Sequence, residues 1–192
     1  GQISTALSTY GITVTANATN TILTLTGTAT KANYQTVINQ IVYNNTSSNP
    51  NTTDRNITVV VNDGANNSNT ATTTISITAD DDAPIIDLDN TTAGNNFATS
   101  FTEDVNSNLP ITNNTTITDV DNTNMTSATI TLTNNLDGIT DENIALTAAQ
   151  ITAADGLGIT VNVATNNVIS LSGSSSIANY QTVINQIVYN NT

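Results

Sequence analysis

Residues 32–46 read ANYQTVINQIVYNNT, and residues 178–192 read the same fifteen letters. Upstream the match continues more loosely. Gly11-Ile12-Thr13-Val14 answers Gly158-Ile159-Thr160-Val161, Leu25-Thr26-Gly27 answers Leu171-Ser172-Gly173, and Gln2-Ile3-Ser4 answers Gln150-Ile151-Thr152. The offset drifts from 148 to 146, so the 192-residue chain holds one copy and about a third of a repeat of about 146 residues. The chain opens and closes at non-equivalent points of that repeat. With a repeat boundary at Ala83-Pro84, residues 1–82 are the C-terminal part of one unit and residues 83–192 the N-terminal part of the next. Two expectations follow. Either this is a window on a longer array, or it is a subunit whose incomplete ends are completed by neighbouring copies through strand complementation.

Period-two alternation dominates between these landmarks. Ile12–Thr15, Ile22–Thr26, Ile57–Val61, Thr73–Ile77 and Ala128–Thr133 each place aliphatic residues on one face and hydroxyls on the other. Clusters of Asn, Gly and Ser, as at Asn62-Asp63-Gly64-Ala65-Asn66-Asn67 and Thr165-Asn166-Asn167, read as the turns between them. Short strands at this spacing predict an all-β, antiparallel β-sandwich. One segment departs from the pattern. Tyr34, Val37, Ile38 and Ile41 follow a 3.6-residue period, which predicts a short crossover helix leading into a strand at Ile41-Val42-Tyr43.

Composition removes several kinds of chemistry. The chain has no His, Cys or Trp, which excludes soft-ligand metal sites, thiol nucleophiles and Ser-His-Asp catalysis. Lys31 and Arg55 are its only basic residues against 15 acidic ones, a net charge of -13, so nucleic acid is not an expected partner. Polarity comes instead from 40 Thr and 32 Asn, residues suited to strands and turns. No apolar run approaches the roughly 20 residues of a membrane-spanning helix. A paired-carboxylate glycosidase would want an aromatic platform for the sugar, which is not evident, so no enzyme is expected.

The carboxylates are clustered: Asp80-Asp81-Asp82, Asp87 with Asp89, Glu103-Asp104, Asp119 with Asp121, and Asp137 with Asp141-Glu142. Like charges about 4 Å apart repel by roughly 1 kcal/mol in water and by more near a protein surface. With so few basic side chains, neutralisation by an external cation is expected, and calcium suits an all-oxygen donor set. Neither 119–124 nor 87–92 is an EF-hand loop, since both lack the turn glycine and the closing Glu. A site assembled from several segments fits better. Asp137 and Asp141-Glu142 are expected to lie in a solvated loop, with a second calcium site as the alternative.

The order Phe101-Thr102-Glu103-Asp104, then Asp119-Val120-Asp121-Asn122-Thr123-Asn124, resembles a cadherin-type repeat. So does the order Asp54-Arg55-Asn56, Asn62-Asp63-Gly64 and Asp80-Asp81-Asp82-Ala83-Pro84 in the other part. The chain is most similar to the long cadherin-like repeats of large bacterial surface adhesins, with a cadherin/Ig-like sandwich. The resemblance implies calcium at the junction of consecutive domains, held by Asp54, by Asp80, Asp81 and Asp82 of the linker, and by Asp119, Asp121 and Asn124. It implies that Glu103 serves the following junction and Asp63 the preceding one. Asn56 stands where that pattern has an acidic residue, the linker lacks the pattern's Asn positions, and the Asp119 loop has no Gly, which bears on how many ions a junction holds. The expected function is a structural repeat of an extracellular, cell-surface fibre or adhesin, with neighbouring copies as partners and calcium stiffening the joints. Surface glycans are a further expected partner. Thr-x-Thr rows such as Thr129 to Thr133 would serve a sugar- or ice-binding module, the weaker alternative.

Overall fold

The computed structural model describes residues 8–104, 107–164 and 167–191, so Gln2-Ile3-Ser4 and the turn residues Thr165 and Asn166 lie outside the described residues. The chain divides into two compact units, the first ending at Ser47 and the second running from Ser48. This is a division of packing. The boundary at residues 82–83 is one of repeat phase, and neither tests the other.

In the first unit a 3-10 turn at Ser8–Tyr10 precedes a hairpin of β1 (Thr13–Ala16) and β2 (Leu23–Thr26), followed by α1 (Lys31–Ile38). Asn17 closes the hairpin by accepting the N–H groups of Thr21 and Ile22 on its Oδ1, at 2.8 and 3.0 Å. Thr30 caps α1 by accepting the Asn33 N–H at 3.2 Å. A helix of eight residues is marginal alone. It is held here by Val37 packing on Ile12, both buried, and by the Tyr34 hydroxyl donating to the Gly27 carbonyl at 2.7 Å. Gly27 has φ +144, and a Cβ there would run into the Gly11 carbonyl oxygen.

The second unit opens with an antiparallel hairpin of β3 (Arg55–Val59) and β4 (Ala71–Ile75), then β5 (Ile85–Asp87), β6 (Leu109–Pro110) and β7 (Thr116–Thr118). Next come β8 (Asn124–Thr131), β9 (Glu142–Ala145), α2 (Ala148–Gly156), β10 (Thr160–Ala164), β11 (Val168–Ser176), α3 (Ile177–Ile184) and β12 (Val188–Asn191). One sheet has the order β10-β11-β8 and another β6-β12-β9, while β5 pairs with β7, and all of these pairings are antiparallel. The structure is thus mostly antiparallel β with short helices, as the alternation predicts. Helix α3 leaves the first of these sheets at β11 and delivers the chain to the middle of the second at β12, whereas α1, the expected crossover, leads into residues 41–47 without regular structure.

The core of this unit draws on both sheets and two helices: Ile144 from β9, Ile169 and Leu171 from β11, Ala154 from α2, and Tyr180, Val183 and Ile184 from α3, closed by Ile159 and Ile187. In β11 the alternation is visible as buried Ile169 and Leu171 between Ser170 and Ser172. A bulge between Ser172 and Ser175 places Gly173 at φ +127, where its carbonyl accepts the Tyr180 hydroxyl at 2.7 Å.

Two expectations are corrected. Helix α2 carries a capping box, with the Thr147 side chain accepting from the Gln150 N–H and Gln150 Oε1 accepting from the Thr147 N–H; period-two reading passes over it. Ile41-Val42-Tyr43 is not a strand: residues 41–47 carry no regular structure, whereas the identical letters at 187–191 give β12. The difference is tertiary. β12 bonds to β6 on one side and β9 on the other, and Ile187 beneath it is 0% exposed, while the first unit holds no counterpart of β6 or β9 among its described residues and Val42 is 77% exposed.

The same residue at equivalent positions should therefore have unequal weight. Ile187→Ala should cost the second unit about 2–5 kcal/mol, the range for emptying a buried aliphatic site. Ile41→Ala should cost less than about 1 kcal/mol. Denaturant unfolding of both variants checks this, and equal losses would show that residues 41–46 are packed after all.

Candidate cation-binding junction

The expected junction residues fall within the second unit, in a linker after β4 and in a loop between β7 and β8. The loop folds on its first residue. Asp119 Oδ1 accepts the N–H groups of Asp121 and Asn122 at 2.9 and 2.7 Å, a turn that an Asp favours because its short carboxylate reaches main-chain amides two and three residues on. That turn presents the side chains of Asp121 and Asn122 to the linker. Asp121 Oδ2 accepts the Asp82 N–H at 2.6 Å, and the Asn122 Nδ2 donates to Asp81 Oδ1 at 2.8 Å. Asn49 adds a third strand of chain by donating from Nδ2 to the Val120 carbonyl at 3.3 Å. Linker and loop, some 40 residues apart in sequence, are thus stitched together through groups that include two of the expected ligands' own carboxylates. Asn122 and Asn49 were not among the expected residues. The Asp-Asn pairing in 121–122 is the signal that could have found Asn122.

The other expected ligands lie elsewhere or make other bonds. Asp54 is exposed just ahead of β3, and its neighbour Arg55 donates to the carbonyls of Thr53 and Asn51, so the guanidinium serves the main chain. Asp80 is exposed in the linker. Asn124 begins β8 and its Nδ2 lies 3.5 Å from Ser174 Oγ. Asp63 caps the turn between β3 and β4, its Oδ1 accepting the N–H groups of Ala65 and Asn66 at 2.9 and 2.8 Å. Those two amides, Asn66 foremost, hold the Asp63 carboxyl below its ordinary value. Glu103 is exposed in a turn beside the undescribed residues 105–106. Among the described residues, no three Asp or Glu side chains converge closely enough to hold a metal ion. The donors at the linker and loop are all oxygens of the kind calcium takes, but in this structure amide hydrogens occupy several of them.

Two further carboxylates have the opposite character, being buried. Asp89, 6% exposed, accepts the Thr91 N–H, the hydroxyls of Thr91 and Thr92, and the Asn113 Nδ2 at 2.6–3.1 Å, tying the loop after β5 to the strand register at Asn113. Glu142, 7% exposed, accepts the N–H groups of Leu136 and Asp137 on Oε2 at 2.6 and 3.1 Å and the Tyr189 hydroxyl on Oε1 at 2.9 Å. Asp137 to Asp141 are exposed, as expected of a solvated loop, and Glu142 alone departs from that reading: its side chain is buried and the loop's own amides wrap it. Asn135 and Asn167 both donate to the Glu142 carbonyl, which fastens the loop to the turn before β11. These are carboxylates whose oxygens are satisfied by neutral protein donors, which hold them in the anionic form.

The chain matches no known protein family, no curated protein and no solved structure.

Backbone donation from Asp137 and Leu136 lowers the Glu142 carboxyl below its ordinary value, against the opposing effect of burial, and the Thr91 hydroxyl does most to lower that of Asp89. A carboxyl depressed in the folded state stabilises the fold above its unfolded value, near 4 for both types, and loses that contribution as pH falls through the lower folded value. The thermal midpoint of the second unit should hold steady from pH 7 to about 5 and then fall. Glu142→Gln should lower the midpoint at pH 7 by several degrees and reduce the slope below pH 4. Thermal unfolding followed across that range checks both, and an unchanged acid slope in Glu142→Gln would remove Glu142 from this role.

Proposed function

We propose that this chain is a structural repeat of an extracellular cell-surface fibre or adhesin, built of cadherin-like β-sandwich units and stiffened by calcium between them. The observation that carries the reading is the stitching of linker to loop. It sets the Asp82 main-chain N–H on the Asp121 carboxylate and the Asn122 amide on that of Asp81, while Arg55 is engaged with main-chain carbonyls. Acidic side chains on two segments joined in this way, though not converged into a site here, are donors of the kind a hard divalent cation would draw together. Asp81, Asp82, Asp119 and Asp121 would hold the ion, with Asp54, Asp80 and Asn124 as the outer candidates. Its charge would offset the carboxylate repulsion that otherwise lets the linker open. Without the ion, linker and loop are joined by the two exposed hydrogen bonds Asp82 N–H to Asp121 and Asn122 to Asp81, and exposed contacts contribute little alone.

Neighbouring copies of the repeat are the proposed partners. No helix among the described residues is long and apolar enough to cross a membrane, and the proposed location is the cell surface or the medium beyond it. The reading assigns the chain no catalysis.

Calorimetric titration of the chain with calcium should show binding with Kd on the order of 10⁻⁴–10⁻³ M, the range of extracellular modules. Asp82→Asn combined with Asp121→Asn should weaken it about tenfold or more. Proteolysis within residues 76–84 should slow in calcium and recover with chelator. Absent calcium heat, together with a cleavage rate indifferent to chelator, would overturn the proposal.

A further inference from the structure

The fifteen residues present twice in this chain occur in two surroundings, and the difference defines a binding face. In the second unit, α3 and β12 are covered by chain drawn from residues 107–145. β6 and β9 flank β12 on its two edges, with Val188 opposite both Pro110 and Ala145 and Tyr189 opposite Ile144. The Tyr189 ring meets Phe101 edge to face at a centroid distance of 5.6 Å. Side-chain amides of the repeated segment read the same stretch of chain. Asn185 Oδ1 accepts the Thr112 hydroxyl and the Thr115 N–H, each at 2.9 Å, and Gln181 both accepts the Ile117 N–H at 3.3 Å and donates to the Thr115 carbonyl at 3.2 Å.

In the first unit the same letters carry none of these bonds among the described residues. The helix itself is unchanged. Thr30 caps α1 as Ser176 caps α3, Tyr34 reaches Gly27 as Tyr180 reaches Gly173, and Thr36 bonds back to Ala32 as Thr182 does to Ala178. What is missing lies on the outward side. Ile38 is half-buried where Ile184 is buried, Val42 is 77% exposed, Gln35 is exposed where Gln181 is half-buried, and Asn39 lacks the two bonds that Asn185 accepts. A preformed helix thus ends in a segment with the composition of a central strand and both edges unpaired.

We infer that α1 with residues 39–46 is a docking face for a second copy of this repeat, and that the occupant is the segment of that copy corresponding to residues 85–147. Three features of the second unit select this occupant over an arbitrary apolar partner. It must supply two strands to bracket one, it must place a Thr-x-x-Thr run (here Thr112 to Thr115) against Asn39, and it must offer a main-chain N–H and C=O to Gln35. The segment that meets all three conditions for identical letters is already visible around α3 and β12. Docking would be β-strand addition on two edges at once, with hydrogen bonds giving affinity and the amides giving register. The inference needs no cation and is independent of the calcium proposal.

The test joins a second copy of residues 85–148 ahead of Gly1, in phase with the repeat, and follows the full chain so extended. Amides of Val42, Tyr43 and Asn44 should exchange at least a hundredfold more slowly than in the original chain, approaching those of Val188 to Asn190. The chain has no cysteine, so pairs introduced singly report register. Val42→Cys should form a disulfide under mild oxidation with Ala145→Cys of the added copy, and several-fold less with Asn143→Cys. Val42 is exposed, so its replacement leaves the first unit intact. Calcium and chelator should leave both results unchanged. Exchange at 42–44 as fast as in the original chain, or cross-linking indifferent to register, would overturn the inference.

Discussion

The fold of the second unit depends on one act of closure, the burial of Tyr180, Val183, Ile184 and Ile187 between two sheets that are otherwise separate. Helix α3 is the only piece of chain that carries the core from β11 to β12, and β12 is the strand around which β6 and β9 are arranged. With α3 seated, β12 bonds on both edges. Without it, β6 is two residues with no other partner in that sheet. The Tyr180 hydroxyl donates to the Gly173 carbonyl and ties the helix back to the strand, and glycine is needed at 173 because a side chain there would meet the Gly158 carbonyl. One small residue and one phenol thus position a helix, which positions a strand, which orders a sheet.

The acidic residues divide by what satisfies them. Glu142, Asp89 and Asp63 are met by backbone amides, hydroxyls and side-chain amides of their own neighbourhood, and their charge is part of the fold. Asp119 likewise folds its own loop on two amides, whereas Asp80, Asp81, Asp82 and Asp121 are exposed or half-buried acidic groups where two segments meet, and only Asp81 and Asp121 accept a hydrogen bond across them. A chain of net charge -13 is not uniformly anionic in effect. A few of its carboxylates act as hydrogen-bond acceptors that build loops, and the rest are exposed or half-buried.

What could be read from the letters tracks how local its cause is. The strands β1, β2, β3, β4 and β8 announce themselves because alternation is a property of neighbouring residues, and α1 and α3 because their apolar positions recur at helical spacing. The linker and the Asp119 loop were legible as acidic clusters for the same reason. Helix α2 was missed although Thr147 and Gln150 spell its cap, because repeated Ala and Thr carry little periodicity. Burial of Glu142 was invisible: it depends on how 135–142 curls around amides whose direction no residue type specifies. The strand expected at 41–43 failed for a deeper reason. Strand character there belongs to what lies on either side, so no reading of those letters alone could decide it.

The two copies also show which parts of the repeat tolerate change. In the hairpins, Ile12 and Ile159, Val14 and Val161, Leu25 and Leu171, and Gly27 and Gly173 keep the core face and the close glycine contact. Thr24 and Thr26 have become Ser170 and Ser172, off the core, where one hydroxyl serves as well as another. In the fifteen-residue segment nothing differs. In the second unit that segment must form a helix, fill a core, present two edges of a strand and aim two amides at fixed groups, and a change that suits one of these tasks disturbs another. The hairpin has one face to satisfy and can drift on the other, whereas the closing segment is constrained on nearly every side, which is the physical reason it is the part of the repeat that reads identically twice.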